Sequence, residues 1–103
     1  MSPAVFRRLV AARIQRARWR LGWTQADAAF KIGLTFRYFA EVERGRRNPT
    51  LDVLLSIARG LKVPVADLVD VEPGTRVDLD SLKLTPPKTG RKPTRPAKRS
   101  ARK

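Results

Sequence analysis

Between residues 22 and 50, glycine and threonine alternate as stop and start signals: Gly22 then Thr24, Gly33 then Thr35, Gly45 then Thr50. Glycine readily takes the left-handed conformation that ends a helix, and a threonine hydroxyl accepts from the free amides that begin one. Each interval leaves room for helices of only about two turns. Such short helices persist only by burying a face against one another. This stretch must therefore be a packed set of short helices joined by tight turns.

Apolar spacing fills in the elements. Phe6, Val10, Ile14, Ala17 and Leu21 recur at steps of three and four and predict a first helix that ends at Gly22. The second begins at Thr24, with Asp27 completing a weak capping box, and turns Ala28, Ala29 and Ile32 inward before stopping at Gly33. Thr35 caps a third, Phe36 to Arg44, with Phe39 and Val42 inside and Gly45 as its stop. A polar loop, Arg46 to Pro49, leads to a fourth capped by Thr50, with Leu51, Leu54, Leu55, Ile57, Ala58 and Leu61 inward. Pro64 opens a last short helix, Val65 to Val69. No segment shows convincing strand alternation and there is no internal repeat. The fold class is all-α, a compact five-helix domain over residues 1–72, followed by a linker and basic tail over 73–103.

Chemistry is narrowed by what is missing. The chain has no Cys and no His, while 23 Lys and Arg outnumber nine Asp and Glu to give a net charge of +14. Zinc sites and most nucleophilic or general-base catalysis rely on the two absent types, so neither an enzyme nor a metal or cofactor site is expected. A field of that sign concentrates polyanions. The excess divides into +6 over residues 1–72 and +8 over 73–103. From Pro86 to Lys103 the composition cannot bury enough apolar surface to offset ordering, and the segment reads as disordered. Residues 73–85 read as a linker, although Val77, Leu79, Leu82 and Leu84 also suit a short extended arm against the domain. Gly90-Arg91-Lys92-Pro93 lacks the centre of a minor-groove hook, so a non-specific electrostatic arm is expected. The apolar run Leu9 to Ala12 is interrupted at Arg13, too short for a signal core or a membrane span. A cytoplasmic, nucleoid-associated chain with no membrane partner is expected.

Two short helices joined by a glycine turn, in a basic chain, form the unit that seats one helix in the DNA major groove while the other crosses the backbone. An ordinary helical hairpin remains the alternative on spacing alone. Ala29 and Gly33 are read as small so that the helices can approach at their corner. Three stretches then resemble the lambda-repressor-like helix-turn-helix domain of phage repressors and bacterial XRE regulators. They are Arg13-Ile14 through Gly22-Trp23-Thr24-Gln25; Ala29 with Gly33-Leu34-Thr35 and Tyr38; and Val42-Glu43-Arg44-Gly45-Arg46-Arg47-Asn48-Pro49-Thr50-Leu51, similar to the family's IERGxRNPSL signature. The resemblance covers residues 9 to 69. Ala28, Ala17 and Phe39 depart from the usual core residues, and the larger Phe39 is expected to fill what the alanines give up.

The third helix is expected to read bases through Thr35, Phe36, Arg37, Ala40 and Glu41. Arg37 suits guanine, Glu41 suits a cytosine amino group, and Phe36 suits a thymine methyl. The bland alternatives are an Arg37–Glu41 ion pair and a Phe36 packed beneath the Arg46 to Pro49 loop. Phosphate contacts are expected from Gln25, Tyr38, Arg44, Arg46, Arg47 and Asn48, with a purely structural Tyr38 as the alternative. Arg18 lies on the inner stripe of the first helix, and the resemblance pairs it with Glu43 as a structural ion pair. Arg7, Arg8, Arg13, Arg16 and Arg20 read as a solvated face. The resemblance further implies a homodimer on double-stranded DNA, with Leu51, Val65, Leu68 and Val69 as surplus apolar surface. No small-molecule effector is evident, and a toxin or RNA polymerase as a further partner is favoured by no residue. The expected function is a regulator, repressing or autoregulating by operator occupancy. A non-specific packaging or RNA-binding protein and a partner-binding adaptor are the alternatives.

Overall fold

The structure, a computed structural model, describes residues 1–71; the expectations for the linker and tail lie outside them. Five helices follow in order: α1 Pro3–Arg20, α2 Gln25–Ile32, α3 Phe36–Glu43, α4 Leu51–Leu61 and α5 Val65–Val69. Each of the first four starts on a hydroxyl. Ser2, Thr24, Thr35 and Thr50 accept from the main-chain amides of Val5, Asp27, Tyr38 and Val53 respectively. At Thr24 the box is closed, because Asp27 Oδ2 accepts from the Thr24 amide at 3.0 Å.

α1 runs under the domain and packs against α3, α4 and α5, while α2 packs on α3 and α4. Ile14, Phe39, Ile57, Leu61 and Leu68 form the fully buried centre. Ala17, Ala28 and Phe39 all lie in one buried cluster.

Several expectations are corrected. α1 ends at Arg20, with Gly22 in the left-handed region two residues later, and α3 ends at Glu43 with Arg44 as its cap. On α4 the buried stripe is Leu54, Ile57, Ala58 and Leu61, whereas Leu51 is 83% exposed and Leu55 is also exposed. Leu51 occupies the first helical position, beyond the edge of the core, and Leu55 sits about 100° around the helix from Leu54. Leu68, expected as surplus surface, is instead fully buried and closes the core beneath α5.

The close approach of helices falls at a different glycine from the one expected. A Cβ on Gly33 would meet nothing within 4 Å, so Gly33 is needed for its φ of +93° alone. At Gly60 on α4, a Cβ would lie 2.5 Å from Ile32 Cγ1 at the end of α2. That missing side chain is what lets α2 lie down on α4.

Candidate nucleic-acid interface

The α2–turn–α3 unit is held by hydrogen bonds local to the turn. The amides of Gly33 and Leu34 both donate to the Ala29 carbonyl at 2.9 Å, which closes the end of α2 and points the chain into Thr35. The Thr35 hydroxyl then accepts from the Tyr38 amide at 3.1 Å. The orientation of α3 is further set from below by a buried ion pair. Arg18 of α1 donates from Nε to Glu43 Oε2 at 2.7 Å and from Nη2 to Oε1 at 2.9 Å. Arg18 Nη1 reaches the Trp23 carbonyl at 2.9 Å, and Gln25 Nε2 donates to Glu43 Oε1 at 2.9 Å. Gln15 donates to the Glu43 carbonyl at 2.7 Å. One carboxylate thus joins α1, the start of α2 and the end of α3.

This arrangement alters the expectation for Gln25, whose carboxamide points inward to Glu43 rather than outward to solvent. The start of α2, at Gln25 and Ala26, still carries unpaired main-chain amides and the positive pole of the helix dipole.

The outward side of α3 is built from Phe36, Arg37, Glu41 and Arg44. Phe36 is 55% exposed, and the space beneath the Arg46 to Pro49 loop is lined instead by Phe6, Val10, Val42 and Leu54. The packed alternative for Phe36 is therefore removed. Ala40 is a correction in the other direction: it is only 6% exposed. It lies about 100° around the helix from Phe39, at the seam between the buried and outward faces, where its single methyl is covered.

Glu41 is the centre of a surface cluster. Arg47 Nε donates to its Oε1 at 2.7 Å, while Arg37 Nε stands 3.9 Å from Oε2. The predicted Arg37–Glu41 pair is thus present only at long range, and Arg47 is the close partner. The Arg47 hydrogen bond, against the opposing cost of partial desolvation and aided by the charges of Arg47, Arg37 and Arg46, holds the Glu41 carboxyl below its ordinary range. The Arg47 guanidinium also lies over the half-buried Tyr38 ring, 5.5 Å from its centroid. Arg44, Arg46 and Asn48 are exposed at the same corner, and among the described residues no carboxylate lies within ion-pair distance of Arg44 or Arg46.

Three features were not anticipated. Phe30 on α2 is 86% exposed; it falls off the Ala28, Ala29, Ile32 stripe, and that mismatch was a signal available in the sequence. The Lys31 ammonium sits 5.3 Å from the Trp23 ring centroid. Arg13, expected on a solvated face, donates to the Asp70 carbonyl at 2.6 Å and ties α1 to the end of α5. Among the described residues no group of side chains has the composition of a metal site, and no helix is long and apolar enough to cross a membrane.

Comparison with known proteins agrees with this architecture. Over 63 residues the chain is 38% identical to an uncharacterized HTH-type transcriptional regulator, y4dJ, of Sinorhizobium fredii, covering 61% of this chain and 82% of that protein. It is 36% identical over 63 residues to the immunity repressor protein of Bacillus phage phi105, covering 61% of this chain but only 44% of the repressor. Among solved structures, the clp gene regulator ClgR from C. glutamicum superimposes with a TM-score of 0.60 at 28% identity, over 62% of this chain and 82% of that one. The helix-turn-helix family model matches residues 14–68, more than half of the chain, including α2, α3, α4 and the Arg18–Glu43 pair, so the chain belongs to the helix-turn-helix family.

Proposed function

We propose that this protein is a sequence-specific DNA-binding transcriptional regulator that acts as a homodimer by occupying an operator in the bacterial cytoplasm. The observation that carries the reading is the outward face of α3, where a freely exposed Arg37 and an exposed Phe36 project from a helix anchored beneath by the buried Arg18–Glu43 pair. An exposed aromatic beside an unclamped guanidinium is poorly suited to a solvated surface and well suited to a major groove. Regulators and a phage immunity repressor among the relatives support the same reading.

In this reading Thr35, Phe36, Arg37 and Glu41 read bases, and Arg44, Arg46, Asn48, the Tyr38 hydroxyl and the amide end of α2 contact phosphates. The exposed Leu51 and Leu55 supply apolar surface for a second copy. Two copies would place their α3 helices about 34–36 Å apart, one turn of duplex. The +8 carried by residues 73–103 adds affinity without sequence information.

Selection of bound fragments from random duplex DNA tests the proposal. Enrichment of a two-fold symmetric site with half-sites one helical turn apart is the expected result. Recovery of unenriched DNA, or loss of all site preference on deleting residues 86–103, would instead favour a non-specific packaging protein that works through its tail.

A further inference from the structure

We propose that Arg47 is a positioning residue for Glu41 rather than a phosphate contact, and that the Arg47–Glu41 clamp sets the preference of α3 for a cytosine amino group. The inference rests on the reading that α3 enters the major groove.

Three observations converge on it. The Arg47 guanidinium is fixed at both sides, by the 2.7 Å bond to Glu41 and by the Tyr38 ring 5.5 Å away. Arg37, with its side chain 87% exposed, and the exposed Arg44 and Arg46 have no comparable pair of anchors among the described residues. The clamp also engages only one carboxylate oxygen. Oε2 faces Arg37 at 3.9 Å, too far for a hydrogen bond, and so keeps its acceptor capacity.

The physics of a groove gives that asymmetry a use. A bare carboxylate on a reading helix is repelled by flanking phosphates, whose field extends about 10 Å at moderate salt. Arg47 neutralises the charge through Oε1 while Oε2 stays available to the amino hydrogens of cytosine. The clamp also removes rotamer freedom that Glu41 would otherwise lose only on binding. Without Arg47, the nearest competing donor is Arg37 one turn back, and the two readers would then satisfy each other instead of the DNA.

The test measures the affinity of the full chain for a selected site and for each single-base-pair variant of it, at several salt concentrations, with melting curves confirming that every variant is folded. Glu41→Ala is expected to lose discrimination at one base pair by about tenfold to a hundredfold. Arg47→Ala is expected to lose it at that same base pair, and the double variant to be no worse there than Glu41→Ala alone. Arg47→Lys, which keeps the charge but not the planar guanidinium held between Glu41 and Tyr38, should lose the same base preference as Arg47→Ala. The inference is overturned if Arg47→Ala weakens all sequences alike and lowers the salt slope by about 0.9, as loss of one phosphate contact would. It is also overturned, with the groove reading intact, if the wild-type protein discriminates among sites but Glu41→Ala changes discrimination nowhere. A wild-type protein with no site preference at all overturns both readings.

Discussion

Two Arg–Glu pairs in this molecule have the same bond length and opposite surroundings. Arg18–Glu43 and Arg47–Glu41 each place a guanidinium Nε 2.7 Å from a carboxylate oxygen. The first pair is 9% and 1% exposed, the second 50% and 24%. Burial obliges Glu43 to be fully satisfied, and its carboxylate accepts from Arg18 Nε and Nη2 and from Gln25. Exposure leaves Glu41 with one short bond and one oxygen in reserve. Contact distance does not separate a buried, fully bonded pair from an exposed one, whereas solvent access and the number of additional donors do.

The contrast is broken most severely at the buried pair. Glu43→Ala strands the Arg18 charge and should cost about 3–5 kcal/mol in urea unfolding, enough to unfold much of a small domain. A loss below about 1 kcal/mol would show that Arg18 escapes to water and that the pair does not hold the fold together. Replacing both partners with Arg18→Met and Glu43→Leu should recover a large part of that loss, because no charge is then left buried. A smaller effect is expected from Gln25→Ala, which removes one donor from Glu43 and should lower stability by about 1–2 kcal/mol in the same assay. If its melting temperature is unchanged while affinity for DNA falls, Gln25 turns outward to phosphate on binding.

The smallest effect lies at the exposed pair. Glu41→Gln should leave the melting temperature unchanged within error at high salt, where screening removes what an exposed pair contributes. Its signature is in the pH profile. The folded carboxyl titrates below its ordinary value, so its contribution is fully present above the unfolded-state value and is lost as pH falls through the lowered one. At low salt, wild-type and Glu41→Gln melting curves should therefore coincide in acid and separate slightly above the ordinary carboxylate range. Curves offset equally at every pH would mean that the difference comes from something other than the carboxylate charge.

Local chemistry made most of the fold legible, because caps and stops are read over three or four residues. Thr24, Thr35 and Thr50 cap helices as expected, and Gly33 and Gly45 follow in left-handed geometry. Burial was less legible where an apolar residue sits at the edge of its helix. Leu51 continues the pattern of α4 in sequence but extends past the core in space, while Leu68 belongs to a helix too short to show a pattern at all. At the candidate site, the Arg18–Glu43 pair followed from the family resemblance together with a charge on an inner stripe. Its Gln15 and Gln25 ligands did not, because glutamine is at home on any surface and only the placement of α1 against α3 brings these together. The Arg47–Glu41 bond was hidden for a related reason. It crosses from the helix into the following loop, and i, i+4 arithmetic points to Arg37 instead.

Gly60 has a consequence for how such a regulator changes over time. It touches no candidate DNA-facing residue, yet a Cβ there would displace the Ile32 side chain at the end of α2, just before the turn into α3. The packing of α2, the helix that leads into α3, thus depends on a position in α4. If α3 reads DNA as proposed, substitutions on its outward face would change contacts one at a time, whereas a substitution at position 60 would act first on the packing of α2 against α4.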